Sequence, residues 1–267
     1  MLTNAIAGRF STTRSAAVVT RNARAMQTGP SAWLLVVAGL VEPLFYLLSI
    51  GIGVGSLIDK DISYRGQEVS YAAFVAPAML ATSAMTAAFS TTTFAFFGKL
   101  KQSKVYEAVL VTPVRPREVA VAEVVWSALR GAVFCGLFLI AMVLLDTVSV
   151  GWALLAFPAS VLAVVAFAAI GLAASTLMRG WHDFDALTTA QMALFLFSGT
   201  FSPTEDYPVA AQYLVELTPL YHAVELIRRI CIGDLSPMLM WHTGYLLAAT
   251  GLCLAFAARR IHTIVYD

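Results

Sequence analysis

Charge is scarce in this chain. Asp, Glu, Lys and Arg make up 12% of 267 residues, against roughly 25% in soluble domains, while hydrophobic residues reach 59%, against roughly 45 to 50%. That composition describes a polytopic membrane protein. The net charge of +1 gives no argument for a nucleic-acid partner, and the placement of charges along the chain carries the information instead. Cysteine is scarce too. Cys135, Cys231 and Cys253 have no metal-type spacing and two of them lie in apolar runs, which excludes a disulfide framework and a zinc site. No GxxxxGK[ST] phosphate loop occurs, since Thr93 stands where the Gly98-Lys99 pair would need the loop's first glycine. The chain is therefore not expected to hydrolyse ATP, and no catalytic residue, cofactor or metal is assigned to it. His182, His222, His242 and His262 form no HExxH or His-x3-His pairing, and no GxSxG occurs, which argues against a membrane-embedded hydrolase. The first thirty residues hold four arginines and no uninterrupted apolar core, so a cleaved signal peptide is not expected.

What is plentiful is apolar sequence. After Gly29-Pro30, the run 33–58 is long enough to cross a hydrocarbon core of roughly 30 Å, even with Glu42-Pro43 inside it. A second run, 71–97, is rich in Ala, Ser and Thr, a composition suited to close helix contacts. Runs within 119–145 and 150–178 are separated only by a tight turn at 146–149, which predicts an antiparallel hairpin. The fifth run, 185–201, is short, and the sixth is 238–258. Between them, 202–233 reads as two short amphipathic helices broken at Thr218-Pro219, too short to span and suited to a re-entrant or interfacial hairpin. Before the first run, Ala16, Val19, Ala23 and Met26 recur at helical spacing among arginines. That pattern predicts a surface-lying amphipathic helix within 1–32, the alternative being a basic disordered tail.

The polar interruption at 98–118 holds Lys99, Lys101, Lys104, Arg115 and Arg117. Val105, Ala108, Val109 and Thr112 fall on one helical face, and Lys101, Lys104 and Glu107 on another. Thr112-Pro113 and Arg115-Pro116 are expected to stop this short helix. Lys and Arg number twelve on the odd side (the N-terminus, 98–118, 179–185 and the tail 259–267) and four on the other. The positive-inside bias then puts both termini and 98–118 in the cytoplasm.

Three ionisable residues lie within or at the edge of spans: Glu42, Glu123 and Arg130. Each costs about 2.5 to 3.5 kcal/mol there and needs a partner or a wet cavity. Arg130 has two candidate arrangements, an interhelical pair with Glu42, or snorkelling to the interface with Glu123 as acceptor. Gly51, Gly53 and Gly55 permit a close helix crossing, and the tryptophans and tyrosines at span ends read as interfacial anchors. A proton-coupled secondary transporter built on Glu42 is the rival functional reading, against which stand the single buried acid and the lack of an inverted repeat.

Three stretches carry a family resemblance: VEPLFYLLSIGIGVGSLI (41–58), KVYEAVLVTPVRPREVAVAE (104–123), and FSGTFSPTEDYP (197–208) followed by LTPLYHAVELIR (217–228). With these the chain resembles the membrane subunits of ABC type-2 exporters, and especially the branch that includes the nodulation lipo-oligosaccharide exporters. The resemblance implies an all-α fold of six transmembrane helices in 33–258. To these it adds an N-terminal interfacial helix, a cytoplasmic coupling helix between spans two and three, and an outer hairpin between spans five and six. It implies a second permease subunit, in a homodimer or heterodimer, and separate cytoplasmic ABC ATPase subunits that bind ATP and Mg. The coupling helix would meet the ATPase through Lys101, Lys104, Val105, Tyr106, Glu107, Ala108, Thr112 and Pro113. Phe197, Gly199, Phe201, Pro203, Pro219 and His222 would border the substrate path. The implied function is ATP-driven export of an amphipathic substrate, a lipid-linked saccharide or a hydrophobic drug or lipid, across a bacterial inner membrane whose lipids surround the chain.

Overall fold

The computed structural model describes residues 11–27 and 62–266 apart from Lys104, together with Phe45, Leu48, Ser49 and Gly53. Apart from those four residues the first run, with Glu42 and its proposed pairing to Arg130, lies outside the described residues, as do Lys104 and the side chain of Glu107. Helix α1 (Thr12–Gln27) is followed by strands β1 (Ile62–Tyr64) and β2 (Gln67–Val69), then helix α2, which begins as Tyr71–Phe89. Next come α3 (Val105–Leu110), α4 (Pro116–Leu144), α5 (Val150–Leu177), α6 (Asp183–Phe197), α7 (Val209–Glu216), α8 (Pro219–Cys231) and α9 (Met238–Tyr266). Among the described residues, four helical stretches are long and apolar enough to cross a membrane: Tyr71–Lys101, Pro116–Leu144, Val150–Leu177 and Met238–Ile264.

The second span is longer than its apolar run. Ser70 caps its start, its hydroxyl accepting from the Ala73 amide at 3.3 Å. The helix then passes through two π-helical stretches, Ser90–Ala95 and Gly98–Gln102, so that 98–102 continues the span and is not a separate segment. The cause is local. Ser90 donates to the Ala87 carbonyl at 2.8 Å, Thr91 to Ala88 at 2.7 Å, Thr92 to Ala88 at 2.9 Å, and Thr93 to Phe89. Four consecutive hydroxyls compete for carbonyls of the preceding turn, and the main-chain ladder widens there.

The α4–α5 hairpin has the predicted short turn, with α4 ending at Leu144 and α5 starting at Val150. Pro116 does not merely stop α3. It opens α4 as an N-terminal proline, where its missing N–H is harmless, and the Glu118 carboxylate accepts from the Arg115 amide at 3.0 Å. The central helix is α5, which touches α2, α4, α8 and α9. Its buried face is largely alanine, and close approach is visible at Gly171, where an added Cβ would sit 2.5 Å from Thr92 Oγ1 and 2.9 Å from Phe89 Cδ1.

Three features depart from expectation. The resemblance implied an all-α fold, yet β1 and β2 pair antiparallel, Tyr64 opposite Gln67. Arg65 (φ 52°) and Gly66 (φ 77°) make the tight turn that matches strand twist. The last helix runs on to Tyr266, so 259–266 continues α9. In α1 the face packed on α4 is Ser15, Val18 and Asn22, whereas Ala16 is exposed and Val19, Ala23 and Met26 are half-buried.

Candidate functional site

Two buried polar clusters sit at opposite ends of α2, whose 31 residues span about 46 Å at 1.5 Å per residue. The first surrounds Glu123 on α4, which is 0% exposed. Lys99, near the end of α2, places Nζ 3.0 and 3.1 Å from its two oxygens. Asn22 of α1 donates from Nδ2 to Oε1 at 2.7 Å, and the Tyr106 hydroxyl of α3 donates to the same oxygen. One carboxylate therefore ties together α1, α2, α3 and α4. Tyr106 is itself completely buried, packed on Phe96 with centroids 5.1 Å apart and lying 5.7 Å from the Arg21 guanidinium. Burial, followed by the Glu123 charge, pushes its phenol well above the usual tyrosine range, so it remains a donor.

A second carboxylate extends the junction. Glu118, 1% exposed, accepts from the Ser11 amide at 3.0 Å and lies 3.6 Å from Arg14 Nη1, which also donates to the Pro113 carbonyl at 2.6 Å. The N-terminal helix is thereby fastened to both ends of the 105–118 turn.

These contacts correct part of the expected partner surface. Tyr106 faces inward and cannot meet a partner, and Val105 and Val109 are half-buried. Lys101, Ala108, Thr112 and Pro113 are exposed, as is Val111, at 88%. Glu123 has taken Lys99, Asn22 and Tyr106 as partners and does not meet Arg130, which is half-buried on α4. The snorkelling arrangement with Glu123 as acceptor is therefore not formed.

The cluster at the far end was not anticipated. Glu225 on α8 accepts from the Tyr64 hydroxyl at 2.7 Å, from Arg228 at 3.2 Å and from Arg229 at 3.3 Å. Arg228 also donates to the Phe74 carbonyl at 3.0 Å and the Gly199 carbonyl at 2.7 Å, with its guanidinium 3.8 Å from the Phe74 ring centroid. Gly199 adopts φ 68°, which turns that carbonyl toward the arginine. Pro219 opens α8 behind the cap residue Thr218, as the Thr-Pro step predicts. His222 is buried, with Nδ1 2.9 Å from Nδ1 of His242 and its ring stacked on Tyr245 at 3.7 Å. Phe197 is 63% exposed, Phe201 packs edge-on against Phe195, and Pro203 precedes a short 3-10 turn, Thr204–Asp206. Spacing alone offered one signal: Glu225, Arg228 and Arg229 stand at i, i+3 and i+4, where ion pairs form on a helix.

Buried charges at the two ends of α2, among helices long and apolar enough to cross a membrane, have the layout of a membrane-embedded protein. The family model for the ABC-2 type transporter matches residues 16–232. The chain is 32% identical to nodulation protein J of Rhizobium leguminosarum bv. viciae over 79% of this chain and 80% of that one. It is 34% identical to nodulation protein J of Rhizobium leguminosarum bv. trifolii over 78% of each. Nodulation protein J of Rhizobium meliloti (strain 1021) is 32% identical, over 78% of this chain and 77% of that one. The matched region contains both end clusters and every helix from α2 to α8, and the chain belongs to the ABC-2 type transporter family of membrane-spanning transport subunits.

Proposed function

We propose that this chain is the permease half of an ATP-driven exporter, coupled to a separate cytoplasmic ATPase and paired with a second permease subunit. It moves an amphipathic substrate, a lipid-linked saccharide or a hydrophobic drug or lipid, out of the cytoplasm or the inner leaflet. The observation that carries this reading is the contrast within 105–113. Its outer shoulder, Ala108, Val111, Thr112 and Pro113, is exposed, while Tyr106 anchors the same turn to the Glu123 cluster. A partner pressing on the shoulder moves α2 and α4 together, because Lys99 and Glu123 are joined. The excess of Lys and Arg at this end and along α1 supports a cytoplasmic placement, with both termini inside and 202–233 outside. In α1, the outward-facing Ala16 and half-buried Val19, Ala23 and Met26 suit a helix lying against lipid. The exposed Met192, Leu196 and Phe197 on α6 suit a path or a subunit contact.

The test is co-expression with its cognate ATPase. Wild type should co-purify with a phosphate-loop ATPase and stimulate ATP-dependent transport. Val111→Asp with Ala108→Asp should leave the permease folded but lose ATPase retention and transport together. Normal transport by that double variant would overturn the coupling assignment.

A further inference from the structure

At the far end from Glu123, a cavity of about 430 Å³ opens between the β1–β2 turn and the α8–α9 connection. Its polar wall consists of Arg65, Gln67, Arg229, Asp234 and Ser236. Arg229 is 1% exposed, and its donors are only partly used. Nε reaches Glu225 at 3.3 Å, and Nη1 reaches Asp234 at 3.2 Å and Ser236 Oγ at 2.9 Å, but Nη2 is buried with no acceptor among the described residues. A buried guanidinium N–H without an acceptor is costly, and the cavity wall is where one can be supplied.

The charges around it leave room for an anion. Asp234 is already engaged, accepting from Arg229 Nη1, from the Ser236 amide at 3.1 Å and from Ser236 Oγ at 3.4 Å. Glu225, behind the wall, is shared among Arg228, Arg229 and Arg65, the last at 3.9 Å. Among the described residues, three guanidinium groups thus face two carboxylates. Arg65, at the hairpin tip, has a side chain 38% exposed and can swing toward a ligand. Its neighbour Gln67 adds a neutral amide donor at the rim.

We propose that this cavity binds an oxyanion, a phosphate-type group held between Arg65 and Arg229. The group belongs either to a free anion or to a lipid headgroup, since both present the same phosphate oxygens to arginine's planar fork. The site is separate from the α3 shoulder and independent of which side of the membrane it faces.

The experiment uses full-length protein purified in detergent, with inorganic phosphate titrated against sodium chloride at matched ionic strength. Wild type should show a saturable rise in unfolding temperature. Arg65→Asn, in which asparagine tolerates the left-handed backbone of position 65, should need about tenfold more phosphate. Arg229→Lys should weaken the effect further, and if it does not fold, Arg65→Asn alone decides. In a second arm, nanodiscs of phosphatidylglycerol or phosphatidylcholine are compared by counting lipids retained in native mass spectrometry. Retention of phosphatidylglycerol that depends on Arg65, with free phosphate inactive, places the oxyanion on a lipid. Saturation by phosphate alone places it in solution. Binding of neither probe, or equal binding by wild type and Arg65→Asn, would overturn the proposal.

Discussion

Glu123 shows how much can rest on one side chain. Removing its charge leaves Lys99 and Tyr106 facing a weaker acceptor in a largely buried site, and breaking a buried ion pair of this kind costs about 3 kcal/mol. Glu123→Gln should therefore lower the unfolding midpoint in detergent clearly, whereas Tyr106→Phe, which removes one donor and keeps the ring, should cost about 1 kcal/mol. Equal midpoints for wild type and Glu123→Gln would remove the cluster's structural role. Acid should act at the other end. Burial raises the Glu225 carboxyl, but Arg228, the Tyr64 hydroxyl, Arg229 and Arg65 outweigh it and hold the group below its ordinary 4.5. A carboxyl depressed in the fold contributes stability that is present above the unfolded value and lost as pH falls through the folded one. His222 is held below its ordinary 6.5 by burial, so below that pH the unfolded chain takes up the proton first. Unfolding temperature should thus fall in two stages, one below pH 6.5 and one below pH 4.5, and Glu225→Gln should erase only the lower stage.

Elements were legible in the sequence where their cause is local. The α4–α5 hairpin follows from two apolar runs around a short polar turn, and α7–α8 from the Thr218-Pro219 step, because capping and proline chemistry act within a few residues. The β1–β2 hairpin escaped because its strands are only three residues each, and its turn signal was a single Arg-Gly pair. The two charge clusters escaped for another reason: Tyr64 meets Glu225 across 161 positions and Asn22 meets Glu123 across 101, distances that no periodicity encodes. The inward turn of Tyr106 is set in the same way, by an acceptor on a different helix. Helix crossings are testable at this scale. Gly171→Val puts a branched side chain against Thr92 and Phe89 and should destabilise by about 2 kcal/mol. Gly251→Ala, inside α9 with open space around it, should hold or raise stability in the same thermal assay.

For the whole molecule, α6 presents an uncovered apolar face among the described residues. Met192, Leu196 and Phe197 are all exposed, while Phe184 and Leu187 join a small cluster with Phe97 and Met178, and Phe195 enters the main core. If this face meets a second subunit, Leu196→Cys in a chain freed of its native cysteines should cross-link to a dimer in membranes. A lipid-facing cysteine on α4, Ile140→Cys, should stay monomeric on the same gel. Cross-linking of both, or of neither, would argue against a subunit contact on α6.

The widened stretch in α2 bears on the same question. Because Ser90–Ala95 is wound more loosely than the helix on either side, tightening it to ordinary α-geometry would turn everything beyond it by on the order of 100°, the angle one residue subtends. Lys99 lies just past that stretch and Phe74 well before it, so its winding sets the angle between the two ends of this span. The two charge clusters are thus held in phase by four hydroxyls in the middle of one helix.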